Sequence, residues 1–434
     1  MSASGGRPVG PADRPGGGWR GVVRGNVLAL GLVSLLNDVS SEMLYPLLPL
    51  FLAGLAAPGS AAIALGAMDG IADTVAALVK IWSGRASDRA RRRKPLTVAG
   101  YALSALARPP LALAAAAWHV IVLRAVDRVG KGMRGAPRDA LIAESVAPAV
   151  RARAYAFHRA LDHLGALSGP VLAAVVLGGW LGADALWRHG AAADVVPLPV
   201  LRRLFGLAAI PALAAVLVAL LAVRERPDAR RGEARCDPPA SGQGGRLPPR
   251  LRLVLAALTL FALGNSTDLF LLFDAQARFG LGAGHVLGLW VLLHVAKILP
   301  GLPGGHAADR LGPRRVILAG WAVYALAYAG LALSRGPVAT VAWIAVYGLH
   351  YGLVEGAERA LVASAAPAAL RGRAFGWFHA LTGLALLPAS LLFGVLWAHV
   401  GREAAFLAGA ALAAAAAALL VVAAPGRRAE QAAP

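Results

Sequence analysis

The chain has 434 residues, 58% of them hydrophobic and only 15% charged, with a formal net charge of +20 and a mean hydropathy of +0.62. Soluble chains carry roughly a quarter charged residues, so composition places this one among membrane proteins, and its single cysteine, Cys236, excludes a disulfide framework and a cysteine-based zinc cluster. The positive charge does not point to nucleic acid, because the cations sit in short connections between apolar runs, as positive-inside sorting arranges them in membrane proteins.

Residues 1–24 are rich in Gly, Pro and Arg and read as a disordered tail. The apolar run that follows continues past residue 50, and many more follow, so it reads as a retained first span rather than a cleaved signal peptide. Length and hydropathy predict an all-α membrane protein with about twelve spans, at 26–55, 61–83, 95–116, 118–143, 153–179, 201–223, 252–276, 283–303, 315–334, 337–363, 373–399 and 403–424. Cations concentrate in alternate connections: Arg85 to Lys94, Arg151 and Arg153, Arg224 to Arg250, Arg310 to Arg315, Arg371 and Arg373, and both tails. The opposite connections are nearly cation-free: 56–60 has none, and Arg188, Arg335 and Arg402 are isolated. The basic side is therefore expected to face the cytoplasm, with both termini on it.

The polar, Pro- and Gly-rich segment 224–250 divides the spans six and six. The expected organisation is a cytoplasmic tail 1–24, a six-helix bundle 25–223, a cytoplasmic linker 224–250, a second six-helix bundle 251–424 and a tail 425–434. The halves repeat each other: RDALIAESVAPAVRARAYAF at 138–157 parallels ERALVASAAPAALRGRAFGW at 358–377, and Asn37 in the first span parallels Asn265 in the seventh.

Two connections share one plan. GRASDRARRRKPL supplies Gly84, Asp88 and Arg89, and GHAADRLGPRRVIL supplies Gly305, Asp309, Arg310 and Gly312. This G-x-x-x-D-R-x-G-x-[RK]-[RK] pattern is similar to the loop motif of the major facilitator superfamily, fully in the second copy and with Arg91 for a Gly in the first. Arg124-Ala-Val-Asp127-Arg128-Val-Gly130 resembles that family's fourth-span pattern, with Asp127 and Arg128 as departures. The phrases NDVSSEMLYPLLPLF at 37–51 and DRVGKGMRGAPRDAL at 127–141 resemble a largely uncharacterised bacterial and archaeal branch. The resemblance spans about 25–424 and implies two pseudo-symmetric six-helix bundles, alternating access, and a central cavity lined by spans 1, 4, 7 and 10. It also implies that Asp88 and Asp309, with Gly84, Arg89, Gly305 and Arg310, form a conformational latch whose bonds exist in one state and break in the other.

Ionisable groups inside spans cost about 2.5–3.5 kcal/mol each on insertion scales unless they face a partner or a wet cavity. Asp38 and Glu42 share a face of span 1, and Asp69 and Asp73 a face of span 2. Asp38 and Asp73 lie roughly 18 Å deep by residue count. The four carboxylates read as one proton-coupling cluster, in which at least one retains a proton near neutrality, or as structural ion pairs with Arg124, Arg128 and Lys131 of span 4. Substrate contacts are expected at Asn37, Arg124, Asp127 and Arg128 in the first half and at Asn265, Asp268, Tyr347, Tyr351 and Glu355 in the second.

Gly165, Gly169 and Pro170 resemble the superfamily's antiporter motif in span 5, with Ala173 and Ala174 where that motif has glycines. VGKG at 129–132 lacks the flanking residues of a phosphate loop, so neither ATP hydrolysis nor another cofactor or metal site is expected. The resulting expectation is a non-enzymatic, monomeric, proton-coupled exporter of a small amphiphilic or anionic molecule in a bacterial inner membrane. Its partners are cargo, protons and lipid, and not nucleic acid. An uptake symporter, a metal-ion carrier and a non-transporting sensor or lipid-handling protein are the alternatives.

Overall fold

The computed structural model describes residues 23–57, 59–89, 93–146, 151–190, 196–225, 247–366 and 371–423. The linker and tails expected from the sequence lie almost wholly outside these residues. Every regular element among the described residues is a helix. Among the described residues nine helical segments are long and apolar enough to cross a membrane. The other three crossings fail that test for visible reasons. Span 3, Lys94–Ala107, tightens into a 3-10 turn at Pro109–Leu113, where proline rings remove helical donors. Span 4, Ala117–Glu144, has the length but carries the charges of the site. Span 8 is Ala283–Ile298 and resumes after a turn as Gly301–Leu311.

Spans 1 and 7, also expected to be continuous, are broken within their apolar runs. Span 1 is Gly25–Glu42, then a 3-10 turn at Tyr45–Leu47, then Leu48–Leu55, with Pro46 and Pro49 at the junction. Span 7 is Pro249–Gly264, then Leu269–Phe279, which leaves Asn265 to Asp268 outside either helix. Interrupted helices release backbone polar groups at membrane depth, where they are tolerated only beside a cavity or other protein groups. Span 2 runs further than expected, from Ala61 to Arg89, so the first loop motif begins as the last turns of a helix. In the second copy Gly312 has φ of 88° and ends Gly301–Leu311, a conformation that favours glycine.

Side-chain contacts define two ends. At the basic end Asn26 Nδ2 donates to Ser145 Oγ at 3.0 Å, and Lys94 Nζ to the Leu220 carbonyl at 2.7 Å. Arg314 donates to the Val421 carbonyl at 3.1 Å. At the opposite end the halves touch directly: Gly190 N–H donates to the Gly280 carbonyl at 2.8 Å, and Trp187 sets its ring edge-on to His285. Spans 2 and 11 (Arg371–His399) pack along a seam of small residues. A Cβ on Gly66 would stand 2.3 Å from the Ser390 carbonyl oxygen, and one on Gly394 2.7 Å from that of Ala62. Span 5 (Arg151–Leu181) and span 4 make no extended contact with span 10 (Pro337–Ala365) or span 11. Lys80, Lys131, Tyr351, Glu355 and His379 are exposed in the basic-end half of the bundle. The molecule is thus closed at the opposite end and parted at the basic end.

The opposite end of the second half carries a buried clamp. Asp274, only 1% exposed, accepts from Arg402 Nε at 2.7 Å and Nη2 at 3.3 Å, with Arg278 at 3.5 Å. Arg402 also donates to the Ala332 and Leu331 carbonyls. The clamp joins spans 7, 9 (Pro313–Leu333) and 12 (Arg402–Ala423).

Candidate functional site

The charged site is built on span 4. Arg124 and Arg128, four residues apart, project from one helical face, and Asp127 stands beside them. Asp127 accepts from Arg124 Nη1 at 3.3 Å and from Arg108 Nη2 at 3.2 Å. Arg108 also donates to the Asn37 carbonyl at 3.1 Å and to Asn37 Oδ1 at 3.0 Å. All four residues are buried. Asn37 and Asp127 are therefore committed to a network joining spans 1, 3 and 4, and neither presents a free polar edge to a cargo in this conformation. Arg108 was not singled out by sequence reasoning. A lone cation just before Pro-Pro in an apolar span was the available signal.

Asp69 sits where the halves meet and is 1% exposed. Its Oδ2 accepts from the Tyr45 hydroxyl of span 1 and from the Thr267 hydroxyl in the break of span 7. Its Oδ1 is buried without a hydrogen-bond partner and lies 3.9 Å from Arg124 Nε, which also lacks one. The Arg124 guanidinium lies over the Tyr45 ring, 4.3 Å from its centre. Tyr45 and Thr267 are partners that the sequence did not reveal, because the break in each helix sets their positions.

The other carboxylates are dispersed. Asp73 pairs with Arg128 Nε at 3.5 Å. Glu42 accepts from Trp290 Nε1 of span 8 at 2.9 Å, and Asp38 from Asn37 Nδ2 at 2.9 Å. The four carboxylates expected to form one cluster thus have separate hydrogen-bond and ion-pair partners. Asp69 and Asp73 face cations of span 4, whereas Asp38 and Glu42 lie along the span 1–span 5 seam. Among the described residues no three His, Cys, Asp or Glu side chains are grouped to hold a metal ion.

The second half contributes a matching polar group. Asp268 is ion-paired to Lys297 and accepts from the Tyr347 hydroxyl at 2.5 Å. Tyr347 also reaches Asn265 Oδ1 at 3.4 Å. Lys297 Nζ lies 4.5 Å from the Tyr351 ring centre. Glu355 stands apart, exposed and paired with Arg359 at 3.1 Å one turn away. Lys131, one turn beyond Arg128, is exposed and makes no hydrogen bond or ion pair among the described residues.

Gly165 and Gly169 lie against the carboxylate face of span 1. A Cβ on Gly165 would stand 2.9 Å from Asp38 Cβ, and one on Gly169 2.8 Å from Glu42 Cβ and from the Val39 carbonyl oxygen. Pro170 lies inside this helix, where its missing N–H loosens the backbone. Gly169→Leu is expected to displace Glu42 from Trp290 and to reduce transport by an order of magnitude or more, while Ser168→Leu, on an adjacent position, leaves it within about twofold. Flux in proteoliposomes containing matched amounts of each protein checks this. The latch residues Gly84, Asp88, Arg89, Gly305 and Asp309 lie on helix ends, but their side chains fall outside the described residues; Arg310 is exposed.

Broken central helices, a buried carboxylate bridging two halves, and closure at one end only describe an alternating-access membrane carrier. The chain belongs to the Major Facilitator Superfamily, whose family model matches residues 30–296 and 294–434, and it is an integral membrane transporter of two pseudo-symmetric six-helix bundles. It is 28% identical over 393 residues to an uncharacterised MFS-type transporter of Methanocaldococcus jannaschii, covering 89% of this chain and 92% of that one. It is also 28% identical over 172 residues to the tetracenomycin C resistance and export protein of Streptomyces glaucescens, covering 39% of this chain and 31% of that one. The crystal structure of the nucleoside transporter NupG matches with a TM-score of 0.73 at 13% identity, over 93% of this chain and all of that one. This likeness is one of fold.

Proposed function

We propose that this transporter exports a small amphiphilic or anionic organic molecule in exchange for protons, and that Asp69 carries the proton. The observation behind the reading is the environment of Asp69: buried, with one oxygen holding Tyr45 and Thr267 across the halves and the other without a hydrogen bond. A buried carboxylate with an unsatisfied oxygen is costly while charged. Proton binding removes that charge. It also weakens the charge-assisted bond to Thr267, since bonds to an ionised acceptor are roughly twice as strong as neutral ones. One proton thereby biases the contact that closes the opposite end.

Cargo chemistry follows from what faces the parted end. Lys131 and Arg128, with the Lys297–Tyr351 pair opposite, suit an anionic head with an apolar or aromatic body. The dense contact of Gly165 and Gly169 with span 1 and the partial likeness to an export protein support export. On this reading the basic end faces the cytoplasm of a bacterial inner membrane, both termini are cytoplasmic, and one chain is a complete carrier. The six-helix bundles 25–223 and 251–424 are then the moving bodies, joined by the linker 224–250.

The test uses proteoliposomes loaded with acidic buffer and diluted into neutral buffer, with a panel of labelled amphiphilic anions outside. Exchange predicts accumulation when the lumen is acidic, whatever the orientation of the protein. Accumulation only when the exterior is acidic means co-transport and overturns the proposal.

A further inference from the structure

Away from the charged site, a groove of about 790 Å³ opens on the second half. Its floor is one face of span 7, where Arg252, Leu255, Ala256, Thr259, Leu260 and Leu263 recur at helical spacing. Its walls are Trp377 of span 11 and Leu419 of span 12. Spans 11 and 12 are joined at the opposite end, where Phe393 and Phe406 pack edge-to-face at 5.0 Å. Toward the basic end Trp377 of span 11 and Leu419 of span 12 line the groove on either side of span 7. The groove is therefore a window in the bundle wall at membrane depth, apolar along its length.

Its two polar features lie at its basic-end mouth. Arg252 is exposed, and its guanidinium has no hydrogen-bond or ion-pair partner among the described residues. Trp377, 47% exposed, lies near the start of span 11, a level at which indoles favour the membrane–water interface. The hydroxyl of Thr259 is satisfied internally by the Leu255 carbonyl at 2.8 Å, so the depth of the groove offers no polar group. From Arg252 to Leu263 the helix rises about 16 Å, a length on the scale of one lipid tail.

We propose that this groove is a binding site for one anionic phospholipid of the leaflet at the basic end, with its phosphate on Arg252, its glycerol region beside Trp377 and an acyl chain along Leu255 to Leu263. Lipid fits better than a soluble ligand because the groove faces the bilayer and carries charge only at headgroup level. A fixed cation between helices is the arrangement that retains acidic headgroups.

The probe is phosphatidylglycerol, with phosphatidylcholine of the same chains as reference, added to purified protein in mild detergent. Native mass spectrometry counts retained lipid, and thermal melting reports its effect. Phosphatidylglycerol is expected to be retained and to raise the melting temperature more than phosphatidylcholine does. Arg252→Gln is expected to reduce that preference about fivefold, the scale of one cation near an anionic headgroup. Ala256→Trp, which fills the groove but keeps Arg252, is expected to lose retention of both lipids. Equal retention of the two lipids by the unmodified protein overturns the proposal, as does an undiminished preference in Arg252→Gln. A saturating transported anion from the flux panel that displaces the lipid competitively shows instead that the groove is a cargo entrance, and also overturns it.

Discussion

Asp69→Asn is expected to abolish the accumulation of cargo driven by an imposed pH gradient while leaving downhill exchange of cargo across the membrane. The amide oxygen still accepts from Tyr45 and Thr267, but as a neutral acceptor it holds them more weakly, as the protonated carboxyl does, and the side chain cannot bind and release a proton near neutrality. Accumulation should collapse to the equilibrium ratio, with counterflow of labelled cargo retained within about an order of magnitude. Asp73→Asn is the control. Asp73 is more exposed and already paired with Arg128, so its neutralisation is expected to slow transport without uncoupling it. If Asp69→Asn still concentrates cargo, the proton is carried elsewhere, and Asp38 becomes the next candidate.

Asp274→Ala is expected to be the most destabilising substitution in the second half. It leaves Arg402 and Arg278 facing a vacated site at the closed end, and breaking a buried pair by removing one partner costs about 3–5 kcal/mol. The melting temperature in detergent should fall steeply, and expression with it. Asp274→Ala combined with Arg402→Ala should be less destabilising than the sum of the two single changes, because the second removes a charge that the first has stranded. Additive losses would mean that the two side chains do not act as a pair. The clamp shares no hydrogen bond or ion pair with Asp69 among the described residues, so surviving Asp274→Ala protein should retain proton-coupled exchange.

The fold was legible because membrane spans are written in composition: apolar runs, cations in alternate connections and a repeat between 138–157 and 358–377. The helix breaks were less so. Pro46 and Pro49 signal the interruption in span 1, but Asn265 to Asp268 contains no proline, and only tertiary contacts to Tyr328, Asp69, Lys297 and Tyr347 explain why the helix stops there. Span 4 was read correctly as a stripe of charge, since i and i+4 positions fix a face whatever surrounds it. What sequence could not show was pairing across spans. Asp38 and Asp69 look equivalent by depth, yet one lies against the span 5 glycines and the other reaches across to span 7. Arg108 lay inside span 3 of the linear reading with no partner in sight; the fold ends the helix at Ala107 and buries it between Asn37 and Asp127.

The proposed proton sensitivity of the Asp69 bond between the halves is open to measurement without knowing the cargo. Spin labels on Arg188→Cys and Arg335→Cys, in a Cys236→Ser background, place one probe on each half at the end that is closed here. Distances between them are read by double electron–electron resonance in lipid nanodiscs over a range of pH. While Asp69 is ionised the closed end is held and the short distance dominates. As pH falls and the carboxylate takes up its proton, a longer distance should grow in. In Asp69→Asn the long distance should be present at every pH. Unmodified protein whose distances ignore pH, or an Asp69→Asn variant that responds to pH as the unmodified protein does, would contradict the account.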